Sequence, residues 1–135
     1  MRVLLDTSYV YDFMDRPGKF PDWERQVLVV RETEFFVSAV SIWEMRLKYN
    51  ARHPSGMRKS RFSPEDVIAA LQDQGLRFLP ITMLHAARTL ETPVDHSDPF
   101  DELLLVQAQE ENLVLLTRDR RLVRHPLAIG AQDLA

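Results

Sequence analysis

Two short apolar runs, Val3-Leu4-Leu5 and Leu113-Val114-Leu115-Leu116, constrain this chain more than any other feature, because neither alternates with polar residues. A strand exposed on one face would alternate. Unbroken runs separated by helical sequence are what a parallel sheet covered on both faces requires. Each run also ends near a carboxylate: VLL runs straight into Asp6, and LVLL is followed by Thr117, Arg118 and Asp119. Open parallel sheets place their sites beyond the carboxyl ends of the strands, so the two acids are expected to converge.

The remaining pattern fills out an α/β order. Residues 2 to 5 form a first strand, and Thr7 to Met14 a helix that fails before Arg16-Pro17-Gly18. A second helix is expected from Asp22 to about Arg31, then an aromatic and β-branched strand from Glu34 to Val37. Ser38 or Ser41 can cap a third helix reaching about Asn50. Ala51 to Ser63 reads as a connection, and Ser63-Pro64-Glu65-Asp66 as a helix start whose helix closes at Gly75. Leu76 to Ile81 is expected as a strand, Met83 to Leu90 as a helix, Asp98 to Glu111 as a longer helix and Leu113 to Thr117 as a buried strand. A short strand near Leu127 to Ile129 completes a parallel α/β sandwich.

At 135 residues the chain holds one core, so a single domain over residues 1 to 135 is expected. No apolar run approaches the roughly 20 residues needed to span a bilayer, and no charged leader precedes the first strand, which makes a cytoplasmic protein without membrane contact the expectation. The sequence contains no cysteine, so disulfides, thiolate catalysis and cysteine-held zinc are excluded. His53, His85, His96 and His125 show no paired metal-ligand spacing. Any metal must be held by oxygen or imidazole.

Two further acids join the first pair. Asp98-Pro99-Phe100-Asp101 fits a helix start, with Asp98 as the cap, Pro99 in the first turn and Asp101 at the third position. Asp101 then points out of the first turn towards the strand ends, with Asp98 beside it and able to contribute. Glu44 occupies the early turns of a helix that follows a strand, at the same end of the fold as Asp6. Each acid has a plain role of its own: Asp6 and Asp98 as caps, Asp119 in a turn, Glu44 in an ion pair with Lys48 one helical turn on. Their joint placement carries the inference. Carboxylates held together repel one another, and a fold that concentrates them is suited to a hard cation such as magnesium or manganese.

Charge distribution adds a substrate class. The net charge is only −3, but Met45 to Pro64 contains Arg46, Lys48, Arg52, Arg58, Lys59 and Arg61 and no acid, while Arg118, Arg120, Arg121 and Arg124 surround Asp119. Basic flanks beside an acidic site fit a polyanion. Phe13, Trp23, Phe35, Phe36, Trp43 and Phe100 are read as core aromatics.

The strings LLDTSYVYDF, SAVSIWEMRLK and DPFDELLLVQAQEENLVLLTRD, in this order and spacing, resemble the PIN domain family, and within it the VapC-like toxins of bacterial toxin–antitoxin pairs. The resemblance covers nearly the whole chain. It implies a three-layer sandwich around a parallel sheet ordered 3-2-1-4-5 and a Mg2+- or Mn2+-dependent endoribonuclease. It also implies a small cognate antitoxin as partner and a homodimer. Carried over by position, the metal-binding and catalytic acids are Asp6, Glu44, Asp101 and Asp119, with Asp98 adjacent and Thr7 and Thr117 as supporting hydroxyls. RNA would be guided by Arg46, Lys48, Arg52, Arg58, Lys59, Arg61 and Arg118. Two other readings compete: a PIN-like domain that binds RNA or a partner without cutting, and a phosphoacceptor receiver domain. The receiver fits less well, because Asp6 is followed by Thr7-Ser8 rather than by a second acid.

Overall fold

The structure, a computed structural model, describes residues 1–14, 20–29, 32–51, 62–95 and 97–134. The elements are β1 (Arg2–Leu5), α1 (Thr7–Met14), α2 (Asp22–Leu28), β2 (Glu34–Ser38), α3 (Ala39–Asn50), α4 (Pro64–Asp73), β3 (Arg77–Leu79), α5 (Met83–Ala87), α6 (Pro99–Glu111), β4 (Val114–Leu116) and β5 (Ala128–Ile129). A 3₁₀ turn, Ala131–Leu134, follows β5. All four strand pairings are parallel, and the order is β3-β2-β1-β4-β5.

The unbroken apolar strands follow from burial on both faces. Val3 and Leu5 of β1 join Phe35, Val37 and Leu116 in a core covered by Tyr9 and Val10 of α1 and Val67 and Leu71 of α4. Leu4 points the other way, with Phe36 and Leu115, into a second core built on Leu104, Leu105 and Ala108 of α6. The two-residue period of a strand thus divides one apolar run between two helical layers. Pairing continues past β1, where the Asp6 N–H donates to the Leu116 carbonyl at 3.0 Å. That bond sets Asp6 beside the end of β4.

Helix starts fall where the sequence places its caps. Ser63 accepts from the Asp66 N–H ahead of Pro64, and Asp98 accepts from the N–H groups of Phe100 at 2.9 Å and Asp101 at 3.4 Å. Of the two candidates for α3, Ser38 is the cap, accepting from the Val40 N–H at 2.9 Å. Gly75 ends α4 at φ 76°, a backbone region that suits glycine.

Several boundaries are shorter than the sequence pattern suggests. α2 ends at Leu28, and α5 ends at Ala87 rather than Leu90. β3 stops at Leu79 because Pro80 has no N–H to continue a ladder, and beyond it the Thr82 N–H is taken by His85 Nδ1. Two aromatics assigned to the core lie on the surface: Trp23 is 50% and Trp43 43% exposed, one on α2 and one on α3. Among the described residues no helix is long and apolar enough to cross a membrane.

Candidate metal centre

Asp6 is buried at the end of β1, and both of its carboxylate oxygens are held. Oδ1 accepts from the Thr7 N–H at 2.7 Å and Oδ2 from the Thr117 hydroxyl at 2.7 Å. Thr117, also buried, turns its oxygen to a second use by accepting the Asp119 N–H at 3.0 Å. One hydroxyl therefore ties together the acids that follow β1 and β4. Thr7 donates to, or accepts from, the hydroxyl of buried Ser41 at 2.9 Å, which fastens α1 to the first turn of α3. Sequence reading considered Ser41 only as a cap. Its hydroxyl is instead a contact three residues ahead of Glu44.

Glu44 is mostly buried, and its Oε2 meets Lys48 Nζ at 2.9 Å, one helical turn along α3. The expected ion pair is present, between a mostly buried carboxylate and a lysine whose side chain is 49% exposed. Burial alone would lower the Lys48 pKa, but the hydrogen bond and charge of Glu44 outweigh it and hold the ammonium above its ordinary value. Tyr11 lies beneath Lys48, with Nζ 5.8 Å from the ring centroid, and its buried hydroxyl meets no hydrogen-bond partner among the described residues. A buried hydroxyl left this way costs about 1 to 3 kcal/mol unless water or a ligand serves it.

Asp101 reports most directly on the convergence. Burial first, then the charges of Asp6, Asp98, Glu44 and Asp119, push its carboxyl from 3.8 up to about 7. All four other acids act on this one group. Asp6 is raised as well, mainly by burial and further by Glu44 and Asp119, against the opposing bonds from Thr117 and Thr7. The packing of Trp43 edge-on against Phe100, with centroids 5.2 Å apart, holds the α3 turn bearing Glu44 against the α6 turn bearing Asp101.

The arrangement fits a hard cation in its donor chemistry: several carboxylates, no sulfur, and a mutual repulsion that a divalent ion would relieve. Among the described residues, no three acidic or histidine side chains are already grouped so as to hold one ion. Glu44 is engaged with Lys48, and Asp119 with the Arg121 guanidinium at 3.1 and 3.3 Å and with its N–H at 2.8 Å. Arg121 belongs to the basic group that the sequence places around Asp119, but its pairing with that carboxylate does not follow from spacing, since the direction of its side chain depends on the turn after Asp119.

The basic residues separate. Arg118 pairs with Asp12 and with Glu24 at 3.0 Å, and its guanidinium lies 4.2 Å from the centroid of Tyr9. It locks α1 to α2, with 40% of its side chain exposed. Arg46 is exposed on α3. Arg52, Arg58, Lys59, Arg61 and His53, and also His96, lie outside the described residues. His85 and His125 are buried and bonded far along the chain, to Glu111 and to the Thr92 carbonyl.

The sequence matches the PIN domain family over residues 3–126. The chain belongs to the PIN domain family. No curated protein matches the sequence. Among solved structures it is similar to VapBC2 from Rickettsia felis bound to a DNA fragment from their promoter, at 20% identity over 96% of this chain and 97% of that one, with a TM-score of 0.63. VapBC-1 from nontypeable Haemophilus influenzae aligns at 16% identity over 98% and 99%, TM-score 0.61. A toxin–antitoxin complex from Klebsiella pneumoniae aligns at 16% over 96% and 97%, TM-score 0.59. At these identities the likeness is one of fold, and it extends across the whole PIN domain.

Proposed function

We propose that this PIN domain is the toxin of a toxin–antitoxin pair, a Mg2+- or Mn2+-dependent endoribonuclease. The observation that carries the reading is the convergence of acids at one end of the sheet, where the Thr117 hydroxyl ties Asp6 to Asp119 and where Asp6, Asp98, Glu44 and Asp119 all lie close enough to act, after burial, on Asp101. A group of acids so unfavourable to one another fits a cation site better than a structural role. Asp6, Glu44, Asp101 and Asp119 would hold the ion, with Asp98 positioned to assist. When bound, the ion would supply a Lewis acid for phosphate oxygens and make water acidic enough to attack phosphorus.

The chain's own residues supply position. Thr117 and the Thr7 N–H fix both oxygens of Asp6, so that acid has one orientation. Thr7 and Ser41 hold α3 against the start of α1, and with it the backbone that carries Glu44. Lys48 and Arg121 partly neutralise the acids before an ion arrives. Arg46, Arg52, Arg58, Lys59 and Arg61 would guide the RNA backbone, together with the exposed part of Arg118.

The similar toxin–antitoxin complexes support a small protein partner. An apolar groove of about 610 Å³ beside the edge strand β3, lined by Ile42, Trp43, Ile68, Phe78 and Ile81, suits an amphipathic segment of such an antitoxin. Since Trp43 precedes Glu44, a segment lying there could carry an arginine or lysine into the acidic group.

A second reading is favoured by the Lys48–Glu44 and Arg121–Asp119 pairs, which satisfy two acids without an ion. It makes the chain a PIN-like domain that binds RNA or a partner without cutting. Incubating a structured RNA pool with the protein in Mg2+ or Mn2+, beside EDTA and Asp6→Asn controls, separates the two. We expect metal-dependent cutting reduced at least a hundredfold in the variant. RNA bound equally by both proteins and cut by neither, under either metal, would leave the binding reading.

A further inference from the structure

A second concave feature opens at the rim of the carboxylate group. The segment Thr92–Asp95 forms one wall and the turn Arg120–Pro126 the other, enclosing a cleft of about 350 Å³. Arg120, Arg121 and Arg124 line it, all three exposed, against a single acid, Asp95.

The walls are fixed to each other. His125 is buried, its Nε2 lies 2.7 Å from the Thr92 carbonyl, and its Nδ1 accepts the Leu127 N–H at 3.2 Å. One nitrogen must donate and the other accept, so a neutral imidazole meets both demands and pins the two segments together. The turn itself is closed by the N–H groups of Leu122 and Val123, both donating to the Asp119 carbonyl at 3.0 Å. Leu122 points into the core while the arginines remain outside.

The cleft adjoins the acids. Arg121 lines the cleft and holds the Asp119 carboxylate at 3.1 and 3.3 Å, so it joins the two sites. Among the described residues, Arg120 and Arg124 enter no ion pair. Cations gathered in a concave site raise the local concentration of anions.

We propose that this cleft is an RNA phosphate subsite, taking backbone phosphates that flank the one at the carboxylate group. The proposal rests on the ribonuclease reading above and deepens it. A polyanion with one phosphate over the acids is repelled by any carboxylate charge left unneutralised there, so its grip must come from neighbouring phosphates. Arg120 and Arg124 line the cleft that Arg121 joins to Asp119. The planar guanidinium fork matches phosphate oxygens, and such contacts position a strand without reading its bases. The cleft therefore supplies affinity and register, not sequence choice.

The test is binding of a fluorescein-labelled single-stranded RNA in EDTA, followed by anisotropy over a range of salt, beside the cleavage assay. Arg120→Ala/Arg124→Ala should weaken binding about tenfold or more at low salt and flatten the log–log salt slope by about 1.4, at roughly 0.7 for each phosphate no longer neutralised. The Arg120→Lys/Arg124→Lys variant should keep most of the slope, and both variants should melt as wild type does. Unchanged affinity and slope in the double-alanine variant, with wild type still binding and cutting RNA, would overturn the cleft assignment alone. A wild type that neither binds nor cuts RNA would overturn the ribonuclease reading and the subsite with it. An oligoglutamate peptide that binds wild type more tightly than the RNA, and loses that binding in the double-alanine variant, would reassign the cleft to an acidic protein segment.

Discussion

Asp101 holds its proton more tightly in the folded chain than in the unfolded one, where an aspartate titrates near 3.8. Between that value and about 7 the folded state binds more protons, so stability falls as the pH rises through this window. Asp6, shifted in the same direction, adds to the fall. Asp101→Asn should therefore stabilise the metal-free protein at pH 8 by about 1 to 2 kcal/mol, after allowing for solvent screening, and should change little at pH 4. Urea unfolding at the two pH values checks this. A variant less stable than wild type at pH 8 would mean that its role at the start of α6 outweighs the repulsion. The helix-start position of Asp101 and its proximity to the acids were legible from Asp98-Pro99-Phe100-Asp101. The engagement of Asp119 by Arg121 was not, because which way a turn arginine swings is set by tertiary neighbours rather than by spacing.

At the scale of elements, α3 is the part whose placement matters most, since it brings Glu44 to the site. Its first turn is held from below by a buried polar chain. Ser38 caps the helix and donates to Gln107 Oε1 on α6, while Gln107 Nε2 donates to the Pro80 carbonyl at 3.1 Å and lies 3.3 Å from His85 Nδ1. Removing the Ser38 hydroxyl deletes a cap and leaves a buried amide oxygen without this donor. Ser38→Ala should cost about 2 to 3 kcal/mol in urea unfolding. A loss below about 0.5 kcal/mol would show that the chain of bonds is not holding α3. Helix starts marked by serine or aspartate before proline were readable because capping is local. The choice between Ser38 and Ser41 depended on Gln107, 69 residues away, and Thr7, 34 residues away. Trp23 and Trp43 were misplaced in the core for a related reason: periodicity finds an apolar face but not what covers it.

For the whole molecule, the order β3-β2-β1-β4-β5 places β1 at the centre, with β2 and β4 on either side. Asp6 and Asp119 follow adjacent strands, while α3 and α6 begin at the same end of the sheet and bring Glu44 and Asp101. The parallel sheet was legible in VLL and LVLL, whose lack of alternation demands two covered faces. Strand order was not, since parallel pairing leaves the sequence of neighbours open, and only the family resemblance supplied it. The central claim is that these four acids form one cation site. Calorimetric titration of Mn2+ into the wild-type protein and Asp6→Asn at pH 8 tests it most directly. Saturable binding weakened at least tenfold in the variant is the predicted result. Equal binding by the two proteins, or none by the wild type, would contradict it.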